Sequence, residues 1–589
     1  MNKFNRYLLL VFLVAGSGCL FSCNKNFLNR YPESDLTAQN FFKNSDDLET
    51  YTNGLYSFLP GYYIGLSDEQ SDNYESNPYN KVVAEQITVP TSATQSVNWE
   101  VNAGSANWTW TFLTQVNYFL QNYQQAVAPA SDLNNYAGVA RFFRAWFYFE
   151  KVKQYGDVPW YSTEIQPTDS ASLYKARDPR ALVMDSVLAD LRFAVANIYP
   201  TASSGMINQA AALALMARVC LHEGTYREYH GLTGGQAFIQ LADSAAQAIM
   251  SGNGYSLYST GNPTQDYSTL FLTHSPSDPQ NKEIILANYY STALHVTTPL
   301  DGYIDAYGHS LTKDLMNTYL TSAGTPFTAV PGYDTMMIRS EFNNRDPRMA
   351  QTVIPPTVSY GLLAGWHVWG AAPTGYQQIK YYDTLTPSYN TNYNAALIFR
   401  YAEILLIHAE AKAELGTLTQ ADLDASINLL RARVGMPSLT MSVALDPVLA
   451  AAYPNVSGAL KNVLLEIRRE RRVELACEGL RYDDLMRWSV GALMAKPFTG
   501  MYFPGLGAYD LNADGQIDYD LVTSLPANPL AGVTYKVLGT DFFLTNGSTG
   551  NVIPYPNLVK TFIDPQDYLF PLPTTELLLN TNLTQNPGW

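Results

Sequence analysis

The sequence predicts a mostly α-helical fold: about four helical pairs of tetratricopeptide size, stacked as a scaffold that carries a long, irregular, loop-rich face. Three observations predict it. Helical periodicity is strong in three blocks, residues 109–154, 178–251 and 400–434. The last block divides into two helices about a short turn, a unit of about 34 residues, which is the length of a tetratricopeptide repeat. Between the blocks and after them, residues 55–107, 252–399 and 490–565 show no clean period and are rich in Gly, Pro, Tyr, Asn, Ser and Thr. Structureless stretches of that length are unusual in a packed domain and often carry function.

The chain opens with Lys3 and Arg6, then an apolar run from Leu8 to Ala15. That run is too short to span a bilayer and suits the core of a signal peptide. It closes on GSGCLFSC, which resembles a bacterial lipoprotein signal. Leu20 and Ser22 stand at −3 and −1 from Cys23, whereas Cys19 has glycines at those positions and fits less well. Residues 1–22 are therefore expected to be removed, leaving a lipidated Cys23 as the first residue of a single domain, 23–589. Ordinary secretion with a spare cysteine is the alternative. Acyl chains on one cysteine would hold such a protein on a membrane without a spanning helix.

Block 109–154 reads as two helices, broken at APASD. Block 178–251 reads as three: the DPRALVMDSVLADLRFAVANIY run, NQAAALALMARVCLHEG and GGQAFIQLADSAAQAIMSG. In block 400–434, Ala402, Leu405, Leu406, Ala409 and Ala413 share one helical face, and the alanines allow a second helix to approach closely. Gly416 ends that helix, Thr419 can cap the next, and Gly435 with Pro437 ends the second.

Composition narrows the function classes. Hydrophobic residues make up 47% of the 589 and charged residues 15%, which is globular rather than disordered. The formal net charge of −16 excludes a phosphate-backbone binder and argues against electrostatic docking on an anionic bilayer. Cys220 and Cys477 lie in apolar helical settings and read as buried thiols. The seven histidines form neither HxH nor HExxH, so a zinc site is not expected. The 42 tyrosines exceed the usual share; most belong in a core, but tyrosine also suits a surface that meets amphipathic partners.

The stretch IRRERRVELACEGLRYDDLMRW resembles an active site in its charge density. Its acids and arginines alternate at pairing distance on a helix, as at Glu466–Arg469 and Arg471–Glu474, so it reads as a structural network with Trp488 packed at its end. RDPR, Arg345 to Arg348, and the terminal QNPGW read as buried, turn-forming scaffold elements.

These segments, taken in order, carry a resemblance. FLNRYPESDLTAQNFFKNSDDLETYTNGLY, ARFFRAWFYFEKVKQYGDVPWY, EFNNRDPRMAQTVIPP, RYAEILLIHAEAKAELG, INLLRARVGMP, IRRERRVELACEGLRYDDLMRW and YLFPLPTTELLLNTNLTQNPGW succeed one another as in the SusD/RagB family of outer-membrane nutrient-binding lipoproteins, which the chain resembles along nearly its whole length. The resemblance implies four tetratricopeptide-like units and a binding protein, not an enzyme. It implies a place on the cell surface over a TonB-dependent transporter of the SusC type, a role in capturing oligosaccharide or peptide fragments, and no nucleic-acid partner. Two alternatives remain, a secreted glycoside hydrolase and a repeat scaffold that binds protein without a small ligand.

The family's binding residues vary with substrate, so candidates come from chemistry. Sugars need flat apolar faces and polar groups for their hydroxyls. Stretch 62–79, with Tyr62, Tyr63, Tyr74 and Tyr79 near Asp72 and Asn73, is the first candidate; Asp72, Asn73 and Tyr74 are expected to contact ligand. Trp99 is the second, and Trp366 with Trp369, between glycines, the third. Trp108 and Trp110 are expected in the core. No cofactor is required, but DLNADGQIDYD resembles a calcium loop. Asp510, Asn512 and Asp514 fall at positions 1, 3 and 5, Gln516 at 7 and Asp518 at 9; Leu521 stands at position 12, where a bidentate acid belongs.

Overall fold

The periodic blocks form helices where the sequence places them. The computed structural model describes residues 41–589 apart from 76–79, 81, 83–86, 96–106, 253, 307–308, 358–371 and 387–389. Cys23, Tyr79, Trp99, Trp366 and Trp369 lie outside the described residues.

The first helix that lies wholly within the described residues, α1 (Ser45–Gly54), falls outside the three blocks and starts at a capping box between Asn44 and Asp47. Block 109–154 gives α2 (Thr111–Asn122) and α3 (Ala130–Tyr155), and the next gives α4 (Arg180–Asn197), α5 (Gln209–Tyr229) and α6 (Gly235–Gly252). Asn208 caps α5 by accepting from the Ala211 N–H. Small residues set the spacing: a Cβ at Gly224 would come within 2.6 Å of Ile239 Cγ1, so α5 and α6 pack closer than any other residue there would allow. Trp108 is in the core and Trp110 packs against it, as expected.

After β1 (Tyr74–Glu75), the loop-rich half contributes β2 (Ile284–Asn288), α7 (Leu300–Ala306) and β3 (Ser310–Leu311). Then β4 (Ala396–Arg400) leads directly into α8 (Tyr401–Glu414). Strands β1 and β3 pair antiparallel, as do β2 and β4, with Ile284 opposite Arg400. The second helix of the last pair is broken into α9 (Gln420–Asp424) and α10 (Ile427–Arg433). Ser426 leaves the helical conformation there, and its Oγ donates back to the Asp422 carbonyl, a bond that bends helices. Block 400–434 otherwise behaves as read, with Thr419 capping α9. The apolar face of α8 is buried, but so is nearly every other position, because α8 lies between α6 and the later helix α11 (Lys461–Glu474). Its polar residues are paired instead of exposed: Glu403 with Arg218, and Glu410 with Arg487. Helix α12 (Arg481–Arg487) follows. The chain then forms β5 (Tyr502–Phe503), β6 (Gly507–Tyr509), β7 (Tyr519–Val522), β8 (Thr534–Val537) and β9 (Gly550–Asn551), in which β5 pairs β9 and β7 lies between β6 and a parallel β8.

Two apolar cores result. One underlies the helical layer, and the other, rich in tyrosine, underlies the loop-rich half; α11 reaches both, through Leu464 and Ile467 to the first and Val473 to the second. Every residue from Val463 to Glu474 is buried, so each charge of the RRERR motif needs a partner on a facing element. Glu466 and Arg469 do pair along the helix, at 3.4 Å. The expected Arg471–Glu474 pair does not form: Arg471 reaches Asp484 at 2.9 Å, and Glu474 meets Arg348, Arg400 and Arg433. Arg348 of RDPR and Arg400 at the end of β4 are thereby fixed to α11. Trp488 is fully buried and donates to Glu410, while Trp589 of the terminal motif donates to the Leu569 carbonyl. Cys220 and Cys477 are buried free thiols, as expected. Among the described residues no helix is long and apolar enough to cross a membrane.

Candidate functional site

Residues 62–70 run as a 3-10 helix at the edge of the loop-rich half, opened by Gly61. Tyr62 and Tyr63 stack there with centroids 4.7 Å apart and planes 28° apart. Tyr303 of α7 joins them, 6.4 Å from Tyr62 and 5.5 Å from Tyr63. All three rings are half-buried, so each keeps surface open to solvent. Burial, with the Tyr303 phenol adding to it, holds the Tyr62 and Tyr63 hydroxyls above their ordinary pKa, so both remain protonated. The result is a platform of flat apolar faces edged by hydroxyls that can donate and accept.

The surrounding structure holds both strips of the platform. On the Tyr303 side, Asp301 is buried in α7 and accepts from the Asp383 N–H, the Thr386 hydroxyl and the Asn392 amide at 2.9–3.0 Å. On the Tyr62 side, Asn288 at the end of β2 donates to the Pro60 carbonyl at 2.7 Å. Asp68, at the far end of the same 3-10 segment, accepts from the backbone N–H of Cys477 at 2.8 Å and of Gly479 at 3.0 Å. A Cβ on Gly479 would fall 2.5 Å from Ser67 Oγ, and the residue has a φ of +72°, so glycine is required where the charged motif meets this segment.

The expected contact residues 72–74 are corrected by the structure. Asp72 is bound by Arg481 at 2.7 and 2.8 Å and by Arg472 at 3.1 Å. Asn73 is 1% exposed and lies between Arg472 and Asp68. Tyr74 is fully buried in β1, and its hydroxyl donates to Gln378. The cause is the surrounding structure: Arg472 and Arg481 of the charged motif draw Asp72 and Asn73 inward and Gln378 takes the Tyr74 hydroxyl, so the three orient the segment and present no face to a ligand. Tyr62 and Tyr63 of the same stretch are the residues brought together at the surface. Tyr303 was not flagged; only its tyrosine-rich, aperiodic setting hinted at it.

The calcium-loop residues form the turn between β6 and β7. Asp510 accepts from Ala513 and Gly515, Asn512 from Asp514, Asp514 from Gln516, and Asp518 from Leu511 and Asn512. The side-chain oxygens are thus committed to the loop's own N–H groups. Leu521, at the closing ligand position, is a buried core residue of β7. Among the described residues no three His, Cys, Asp or Glu side chains converge on a point that could hold a metal ion.

Comparison with known proteins bears on the whole chain. A family model described as the SusD family matches residues 287–589, and one described as starch-binding, associating with outer membrane, matches residues 26–221. SusD-like protein P38 of Formosa agariphila is 23% identical over 532 residues, covering 85% of this chain and 95% of that relative. Two Bacteroides fragilis crystal structures share the fold. A SusD-like protein, 21% identical, superposes with a TM-score of 0.68 over 95% of this chain and all of that one. A SusD-like carbohydrate binding protein, 22% identical, gives 0.67 over 92% of this chain and all of that one.

Proposed function

Because the chain belongs to the SusD family, we propose that it binds oligosaccharides on the Tyr62–Tyr63–Tyr303 platform and passes them to a SusC-like TonB-dependent transporter in the outer membrane. The observation that carries the reading is the platform itself: three converging, half-open tyrosines on the loop-rich half. The C–H faces of a sugar ring pack on such faces while its hydroxyls bond to the phenols. The carbohydrate binding of one B. fragilis structural neighbour and the starch-binding description of the N-terminal match agree with this ligand class. In this reading the mature chain is one domain, 23–589, anchored through acylated Cys23 and facing the exterior; the Leu20–Ser22–Cys23 pattern supports the anchor.

The reading is binding rather than hydrolysis. Glycoside cleavage calls for two carboxyl groups flanking the scissile bond, whereas Asp68, Asp72 and Asp301, close to the platform in sequence, are buried and bound to backbone, arginine or loop donors.

Isothermal titration against a panel of oligosaccharides and peptides tests it. Losing one stacked ring removes about 1–1.5 kcal/mol, so Tyr303→Ala is expected to weaken oligosaccharide binding roughly tenfold. The proposal fails if no oligosaccharide binds, or if affinity is unchanged in both Tyr62→Ala and Tyr303→Ala.

A further inference from the structure

Resting on the oligosaccharide reading of the platform, we infer that the Tyr62–Tyr63–Tyr303 site takes uncharged oligosaccharides and rejects those that carry carboxylate or sulfate groups.

Three segments frame the platform. Residues 55–80 carry Tyr62 and Tyr63, and residues 284–312 carry Tyr303. Residues 381–399 are bonded to Asp301 through the Asp383 N–H, the Thr386 hydroxyl and the Asn392 amide. The first and third segments also meet directly, since a Cβ on Gly65 would fall 3.0 Å from Tyr381 Cδ2. The chain has 36 lysines and arginines, yet these three segments contain none; apart from His295 and His309, their charged residues are all Asp or Glu.

The described carboxylates of the frame turn inward. Asp68 and Asp301 accept from backbone and loop donors, and Asp72 is taken by Arg472 and Arg481. Glu69 is buried 3.1 Å from His309, and Asp383 is buried 2.7 Å from His274. The cations that bracket the segments turn inward as well. Lys313 pairs with Glu341 at 2.7 Å, Lys380 with Glu478 at 2.6 Å and Arg400 with Glu474 at 2.8 Å, all of them buried. Lys282 is held over the Tyr258 ring, 5.6 Å from its centroid, and Lys81 lies outside the described residues.

What the site presents to a ligand is therefore phenol. Half-buried Tyr290, just past β2, adds a fourth ring: its hydroxyl lies against Gly61, 3.1 Å from where a Cβ would stand, and burial pushes its pKa up to about 12. A protonated phenol both donates and accepts, which serves a sugar hydroxyl in either role. A carboxylate or sulfate seated there gives up water and gains no cation, and burying an uncompensated charge is costly. The acidic frame and the formal net charge of −16 oppose an anion at longer range too.

Calorimetry on the full chain tests this with maltohexaose, cellohexaose, laminarihexaose and mannohexaose, at low salt and about pH 8, above the ordinary range of imidazole. Each sugar is used in three forms: neutral, oxidised at C6 so that primary hydroxyls become carboxylates, and as the methyl ester of that oxidised form. At least one neutral form is expected to bind, its oxidised form about tenfold more weakly or worse, and the ester, bulkier but uncharged, close to the neutral form. Tyr303→Arg keeps a flat face and adds a guanidinium, so it is expected to narrow the gap between neutral and oxidised forms by about threefold or more. An oxidised form that binds as tightly as its parent, and is lost in Tyr303→Ala, overturns the inference and leaves the platform standing. So does an ester as weak as the acid, because size and not charge then decides, or a gap that Tyr303→Arg leaves unchanged. If no form of any sugar binds, or if Tyr62→Ala and Tyr303→Ala both leave binding intact, the platform itself fails and the inference falls with it.

Discussion

Asparagine at position 72 separates a structural role from a ligand-binding one. Asp72 accepts from Arg481 through both oxygens, at 2.7 and 2.8 Å, with Arg472 3.1 Å away, and is only 8% exposed. Burial alone would raise its pKa, but Arg472 and Arg481 outweigh burial and hold the carboxyl well below the usual carboxylate range. Removing one partner of a buried ion pair costs about 3–5 kcal/mol, because the other charge is left uncompensated. Asparagine keeps one acceptor oxygen, so Asp72→Asn is expected at the lower end, about 3 kcal/mol, read as a reduced urea midpoint at neutral pH with an unchanged slope. The pH dependence has a definite sign. A carboxyl with a depressed folded pKa contributes stability that is complete above its unfolded value of about 3.9 and disappears as pH falls through the folded value. The gap between wild type and variant should therefore be constant from neutral pH down to about 4 and close only below it. A loss under about 1 kcal/mol, together with abolished oligosaccharide binding, would refute the structural assignment and restore Asp72 as a ligand residue.

Three further outcomes follow from the same network. Gly479→Ala combines a left-handed backbone, costing about 1–2 kcal/mol, with a Cβ 2.5 Å from Ser67 Oγ; both the melting temperature and platform affinity should fall, and an unchanged melting temperature would contradict it. Arg487→Met strands Glu410, which now accepts two guanidinium bonds at 2.5 and 2.8 Å and is held down to about pKa 2 because Arg487 outweighs its burial. The cost should be about 3–5 kcal/mol, and adding Glu410→Leu should recover only part of it in a denaturation cycle, because the buried Trp488 indole N–H then loses its acceptor. Asp301 has the opposite sign: burial raises its pKa to about 6 despite three donors. Its stabilising effect is present below about 4 and lost as pH rises through 6, so hydrogen-exchange protection of the Asp383 amide, corrected for intrinsic rate, should decline across that interval.

Helix positions were legible because their causes are local. The alanines and leucines of α8, the Gly416 stop and the Thr419 cap all act within a few residues of themselves, and the structure follows them. The break at Ser426 was not legible, since a serine bonding back to i−4 has no distinctive pattern. The charged motif was read correctly as structural, yet its pairing was read too locally. Spacing on one helix cannot reveal that Glu474 will meet Arg348, Arg400 and Arg433 from three other segments.

The site was illegible for a related reason. Aromatic and polar residues in 62–79 look equivalent in sequence, but which of them faces out depends on where cations some 400 residues later come to rest. Arg472 and Arg481 claim Asp72 and Asn73, and the Cys477 and Gly479 amides claim Asp68; with those side chains turned inward, the start of the segment is left to present Tyr62 and Tyr63. The charged motif thus fixes the orientation of the segment that carries Tyr62 and Tyr63 without contributing a ring to the platform. That division leaves the rings independent of the motif's ion pairs: a substitution at Tyr62, Tyr63 or Tyr303 removes none of them. It also fixes an order of severity: ring variants should alter binding at nearly constant stability, and variants at Asp72, Gly479 or Arg487 should lower stability first.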